Sequence, residues 1–158
     1  MDERFEIVQA LAGEGGFGKV DKAKDKQLER DVAIKTLDPL FKGIEEKDIE
    51  RFKREAKTLA ALSHPNIPAI YDINFNPKEK EFKLIYKWIE GITLRKYLTD
   101  VGVLSLDLAK KYFANICSAL AHAHSKNIIH RDIKPSNLII TTDKESCYGR
   151  FWNLSYES

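Results

Sequence analysis

Residues 130–137 read His-Arg-Asp-Ile-Lys-Pro-Ser-Asn and follow directly on a long stretch of helical period. This span packs an acid, an ammonium and a carboxamide into one short loop. Phosphoryl transfer needs a carboxylate to orient the attacking hydroxyl, a cation near the moving phosphate, and oxygen ligands for Mg2+. Asp132, Lys134 and Asn137 suit those three roles in that order. A solvated charge cluster is the bland alternative, and it gives no reason for this spacing.

Two further elements upstream point the same way. Gly13-Glu14-Gly15-Gly16-Phe17-Gly18-Lys19-Val20 places glycine at its first, third and sixth positions. Glycine lets a backbone approach phosphate oxygens closely, although such a cluster alone also fits an ordinary hairpin turn. A dinucleotide-binding reading would need a helix straight after the loop, whereas a strand follows here. About fifteen residues later comes Val32-Ala33-Ile34-Lys35, a spacing that suits a hairpin returning the Lys35 ammonium beneath the phosphates. Glu55 lies at the border of an apolar helical stripe and is the expected counter-ion of Lys35. A surface pair within its own lysine-rich helix is the other reading of Glu55, and such pairs contribute well under ~1 kcal/mol.

Composition sets the outer limits. The 158 residues suit one domain and are enough to bury a core. Basic and acidic side chains number 26 and 24 and are interspersed, so the net charge of +2 makes no case for nucleic acid or a membrane surface as partner. The charged start Met1-Asp2-Glu3-Arg4 does not resemble a secretory leader, and no apolar run approaches the length of about eighteen residues needed to span a membrane. Cys117 and Cys147 are far apart and lack metal-ligand spacing, which fits free thiols in the cytoplasm.

The periodicity predicts an α+β chain with a strand-rich front and a helical back. Strands are expected at Phe5–Leu11, Lys19–Ala23, Asp31–Leu37, Ile67–Phe75, Phe82–Ile89 and, briefly, Leu138–Ile140. Ile44–Ser63 has helical period, with Ile49, Phe52, Ala56 and Leu59 on one stripe, and His64-Pro65-Asn66 ends it. Thr93–Val101 reads as a short helix. Ser105–Lys126 reads as a long one, with Leu106, Ala109, Phe113, Ile116 and Leu120 on one side. His122 and His124 on that helix read as structural. The boundary between the two halves is expected near Gly91.

Taken in order, GEGGFGKV, VAIK and HRDIKPSN resemble the protein-kinase signature set. The resemblance runs from about Phe5 to Ile140, and the helix wording RFKREAKTLAALSHPNIPAIYDI is similar to bacterial members. Lysine two places after Asp132 is similar to the Ser/Thr-specific kinases. The resemblance implies an N-lobe over 5–90, the start of a C-lobe over 91–144, ATP and Mg2+ as cofactors, and protein substrates. It implies that Ala12 to Gly18 shape the loop over the phosphates, with Val20, Ala33 and Ile139 sandwiching the adenine. Lys35 would contact the α- and β-phosphates and pair with Glu55. Tyr86 would stand at the gatekeeper position, with the backbone of Lys87, Trp88 and Ile89 reading the adenine edge. Asp132 would be the catalytic base, Lys134 the γ-phosphate contact and Asn137 a Mg2+ ligand. Leu59, Ile70 and His130 would belong to the regulatory spine.

The pattern then departs. An Asp-Phe-Gly motif, whose Asp holds Mg2+, is expected about a dozen residues after Asn137, and Arg150-Phe151-Trp152 stands there instead. The expectation is a truncated kinase of weak or absent turnover, or else a catalytically dead nucleotide-binding module. The apolar stripe of the long helix would be partly uncovered, and the melt would show low cooperativity. Residues 145–158 are expected to be an out-of-frame tail. The codons GAA TCT TGT TAT GGT AGA TTT TGG AAT CTC would encode Glu145 to Leu154. Shifted by one base, they read Asn-Leu-Val-Met-Val-Asp-Phe-Gly-Ile. Sequencing the gene past codon 144 should show Asp-Phe-Gly in the shifted frame, and any other reading there removes the explanation.

Overall fold

The computed structural model describes residues 4–11, 19–37, 46–76, 81–130, 132–142 and 147–149. These divide into two compact units. The first holds β1 (Phe5–Leu11), β2 (Lys19–Asp25), β3 (Arg30–Leu37), α1 (Glu46–Ala60), β4 (Ile70–Asn76) and β5 (Glu81–Lys87). The second takes the segment Leu62–Pro68 and the chain from Ile89 onward, with β6 (Gly91–Thr93), α2 (Leu94–Val101), α3 (Leu106–His124), β7 (Leu138–Thr141) and β8 (Cys147–Gly149). The described elements make the α+β combination expected from the sequence, strand-rich at the front and helical at the back.

In the first unit the strands form one antiparallel sheet in the order β1-β2-β3-β5-β4. Alternation along β2 and β3 gives the sheet two faces, and Ala23, Val32, Ile34 and Ile85 cluster on one of them with Phe5 and Tyr71 against them. The β2–β3 hairpin is fixed by a charge. Asp25 is fully buried and takes two hydrogen bonds from the Arg4 guanidinium, at 3.0 and 2.8 Å, and two from the turn amides of Gln27 and Leu28, both at 3.2 Å. Arg30 stands 3.6 Å from the same carboxylate and stacks over the Tyr71 ring at 3.5 Å. On α1, Ala56 and Leu59 are buried as expected. The side chain of Phe52 lies outside the described residues.

The second unit is built on Leu94, Tyr97, Tyr112, Leu138 and Ile140. Thr93 and Ser105 cap the two helices, their hydroxyls accepting from the amides of Lys96 and Leu108. Gly102, at φ 92°, ends α2 in a conformation that favours glycine. Gly91 is needed for a different reason. A Cβ there would fall onto the carbonyl of Ile140, because β6 and β7 pack backbone to backbone. No helix among the described residues is long and apolar enough to cross a membrane.

Several expectations are corrected. α1 stops at Ala60, and residues 64–67 form a turn closed by the Ile67 amide on the His64 carbonyl at 3.0 Å, so β4 starts at Ile70. The apolar stripe of α3 is partly uncovered, as expected, and the helix buries a neighbouring face. Tyr112, Ala119 and Ala123 are buried with Leu108 and Ile116 against the core, while Leu106 and Phe113 are 68% and 71% exposed. Small alanines and an amphipathic tyrosine make this face look weak to a hydrophobicity reading. The strands β6 and β8, three residues each, were too short to show a period.

The Asp25 network makes a testable demand on stability. Its hydrogen bonds from Arg4, helped by the Leu28 and Gln27 amides, hold the Asp25 carboxyl at about 2 against an ordinary 3.8, although burial opposes this. A lowered pKa stabilises the fold fully above the ordinary value, and the contribution is lost as pH falls from there toward about 2. Asp25→Asn should cost about 3 kcal/mol at neutral pH, read by denaturant melts, and should flatten the acid limb between those two values.

Candidate active site

Residues directly opposed across an antiparallel pair project to the same face of the sheet. In the first unit Val20 opposes Lys35, Lys22 opposes Ala33, Ala33 opposes Tyr86 and Lys35 opposes Leu84. Register therefore brings Val20, Ala33, Lys35 and Tyr86 onto one face, although they come from three strands and span more than sixty positions. Ala33, Lys35 and Tyr86 are buried there. A buried ammonium requires compensation, and α1 supplies Glu55 in sequence. The side chain of Glu55, like the loop Ala12–Gly18, lies outside the described residues. The ends of that loop are held together, since Leu11 pairs with Val20.

Past Tyr86 the chain leaves the sheet. The Lys87 amide donates to the Ala69 carbonyl at 2.8 Å, so this N–H of the expected adenine-reading segment is already committed to the fold. Trp88 packs its ring beneath the Lys22 ammonium at 4.8 Å, and Ile89 is buried.

In the second unit the 130–137 loop closes on itself. His130 is buried and accepts the Asp132 amide at its Nδ1, 3.2 Å away. Asp132 Oδ2 receives Lys134 Nζ at 2.8 Å and Asn137 Nδ2 at 2.9 Å, and the same amide nitrogen reaches the Asp132 carbonyl at 2.9 Å. A 3-10 turn over Pro135–Asn137, closed by the Asn137 amide on the Lys134 carbonyl at 2.8 Å, carries Asn137 back to the acid. Two residues later Ile139 is buried on β7, opposite Thr93 and Tyr148. Spacing alone did not reveal His130 as an acceptor for Asp132. The signal for it is an imidazole two residues before the acid, a turn that recurs where the Asn66 amide donates to His64 Nδ1 at 3.1 Å.

The electrostatics follow from these contacts. Lys134 lowers the Asp132 carboxyl below its ordinary range, with further lowering from Asn137 and a small contribution from the neighbouring His130, against a raising contribution from partial burial. The acid is held ionised at neutral pH. For a divalent metal the donor set is thin. With its nitrogen on Asp132, Asn137 has one amide oxygen to offer, and no group of three or more His, Cys, Asp or Glu among the described residues could hold an ion. Phosphate oxygens would have to complete the shell. Arg150-Phe151-Trp152, where the acidic ligand is expected, lies outside the described residues.

The chain belongs to the protein kinase domain family, whose model matches residues 5–148. It is 40% identical over 137 residues to the serine/threonine-protein kinase PrkC of Bacillus subtilis, covering 87% of this chain and 20% of that protein. It is 36% identical over 149 residues to the serine/threonine-protein kinase PknB of Mycobacterium tuberculosis, covering 89% and 22%, and 36% identical over 153 residues to PknB of Mycobacterium leprae, covering 89% and 23%. The chain thus spans about a fifth of the length of these relatives. The resemblance to bacterial Ser/Thr kinases is borne out.

The Asp132 assignment can be tested directly. Replacing the cation by Lys134→Met should raise the Asp132 carboxyl toward 3.8, measured by carbon-detected NMR titration of its side chain. No movement would show that Lys134 is not what holds the acid ionised.

Proposed function

We propose that the chain carries the nucleotide-binding and phosphoryl-transfer residues of an ATP-dependent Ser/Thr protein kinase acting on protein hydroxyls. The observation that carries this reading is the closed Asp132–Lys134–Asn137 cluster, with an ionised acid bonded at 2.8 and 2.9 Å by the other two side chains. On this reading residues 5–90 are the N-lobe and 91–144 begin the C-lobe. Bound Mg·ATP would supply the electrophilic phosphorus and a leaving group whose charge the metal shields. Asp132 orients the incoming hydroxyl and accepts its proton as the oxygen–phosphorus bond forms and the bond to the departing ADP breaks. An acid held this low is a weak base, so orientation of the hydroxyl is its larger contribution. Lys134 offsets charge on the transferred group, and Asn137 offers its amide oxygen to the metal. Lys35, paired with Glu55, holds the α- and β-phosphates. Val20, Ala33 and Ile139 enclose the adenine beside Tyr86, with the backbone of Lys87 to Ile89 at its edge and the Ala12–Gly18 loop over the phosphates. The cytoplasm, where ATP is at hand and the exposed thiol of Cys117 stays reduced, is the compartment that suits this chemistry.

A second reading has its own observation. Arg150-Phe151-Trp152 supplies no acidic metal ligand at the expected place, which favours nucleotide binding with weak or absent turnover. Two measurements separate the readings. Transfer from radiolabelled ATP to a generic basic protein should fall at least about a hundredfold in Asp132→Asn if the chain is a kinase. A Mg2+-dependent rise in melting temperature with ADP, without any transfer, would instead mark a binding module. Absence of both overturns the site.

A further inference from the structure

α3 carries a histidine that the phosphoryl-transfer reading does not use. His122 lies one turn beyond Ser118 on the same face of the helix, and its Nε2 is buried without a hydrogen-bond partner. Facing it is His64, from the segment Leu62–Pro68 that packs as part of the second unit although it joins α1 to β4. The two ring centroids are 5.5 Å apart, tilted by 35°. His64 is tied at both nitrogens. Its Nδ1 accepts the Asn66 amide at 3.1 Å, and its Nε2 pairs with Ser118 Oγ at 3.0 Å. Accepting at Nδ1 fixes the neutral tautomer with the proton on Nε2, which then donates to the serine.

We propose that His64 and His122 form a proton-sensitive latch that holds the Leu62–Pro68 segment on α3 while the His64 ring is neutral and lets it go when His64 is protonated. A proton on Nδ1 would remove the acceptor for the Asn66 amide, turning a hydrogen bond into a clash of two donors. The added charge would face a second imidazole in a half-buried site with no carboxylate bonded to either ring among the described contacts. On His64's own segment the facing polar group is the Asn66 amide; on α3 they are Ser118 and His122. Among the described residues His122 is the titratable neighbour that adds to the lowering of the His64 imidazole. Burial, and then His122, push the His64 imidazole below its ordinary 6.5, in the sense the latch requires. A histidine lowered in the folded state favours docking fully above its ordinary value and disfavours it progressively as pH falls below. The latch does not depend on turnover or on nucleotide.

Amide hydrogen exchange of Asn66 and Ile67 in the full chain, corrected for intrinsic chemistry, reads the latch. Between about pH 7.5 and about pH 5.5 the opening equilibrium should rise at least about threefold in the wild type. His122→Phe keeps a ring of similar bulk but cannot charge, so the rise should be blunted. His64→Gln should abolish it, whether the segment stays docked or stands open at every pH. A rise of unchanged size in both variants overturns the proposal, as does a wild-type profile that is flat across the range.

Discussion

Charge drawn out of water has to be met within a few ångströms, and both halves of this fold show that demand. In the first unit Asp25 is buried at the end of a hairpin and gathers Arg4, Arg30 and two turn amides around itself. The Lys35 ammonium is buried in mid-strand on the opposite face, by the alternation along β2 and β3. In the second unit Asp132 is met by its own loop, through Lys134 and Asn137. The energetic logic differs between them. Asp25 is closed off from water, while the Asp132 carboxylate keeps about a quarter of its side chain in solvent.

What the sequence made legible was local. The Asp132, Lys134 and Asn137 cluster lies within six positions, so spacing was enough to bring them together. Thr93 and Ser105 were readable as helix starts because a cap acts within one turn. Strand β2 alternates in burial with a period of two, whereas β3 was readable as a β-branched apolar run and is buried at four successive positions. On α3 the exposure of Leu106 and Phe113 was legible, whereas the buried Tyr112, Ala119 and Ala123 carry little hydrophobic signal and were not singled out. The meeting of His64 with Ser118 and His122 was illegible in principle. It joins positions more than fifty apart, and nothing within either segment specifies the other.

The family assignment rests on most of this chain but on only about a fifth of its named relatives. The features that place it in the family and the features that would make it work overlap without coinciding. Register across β2, β3 and β5 is a property of the scaffold, and it aligns Val20, Ala33, Lys35 and Tyr86 whether or not anything binds. The 130–137 loop is different. Asp132, Lys134 and Asn137 are held to one another by contacts within the loop itself.

Within the second unit Gly91 lets β6 lie close against the carbonyl of Ile140 on β7. Any side chain at position 91 would have to push β6 off β7, whose first residue follows Asn137. The bareness of one glycine thus sets how near the strand leaving the catalytic-type loop can lie to its neighbour.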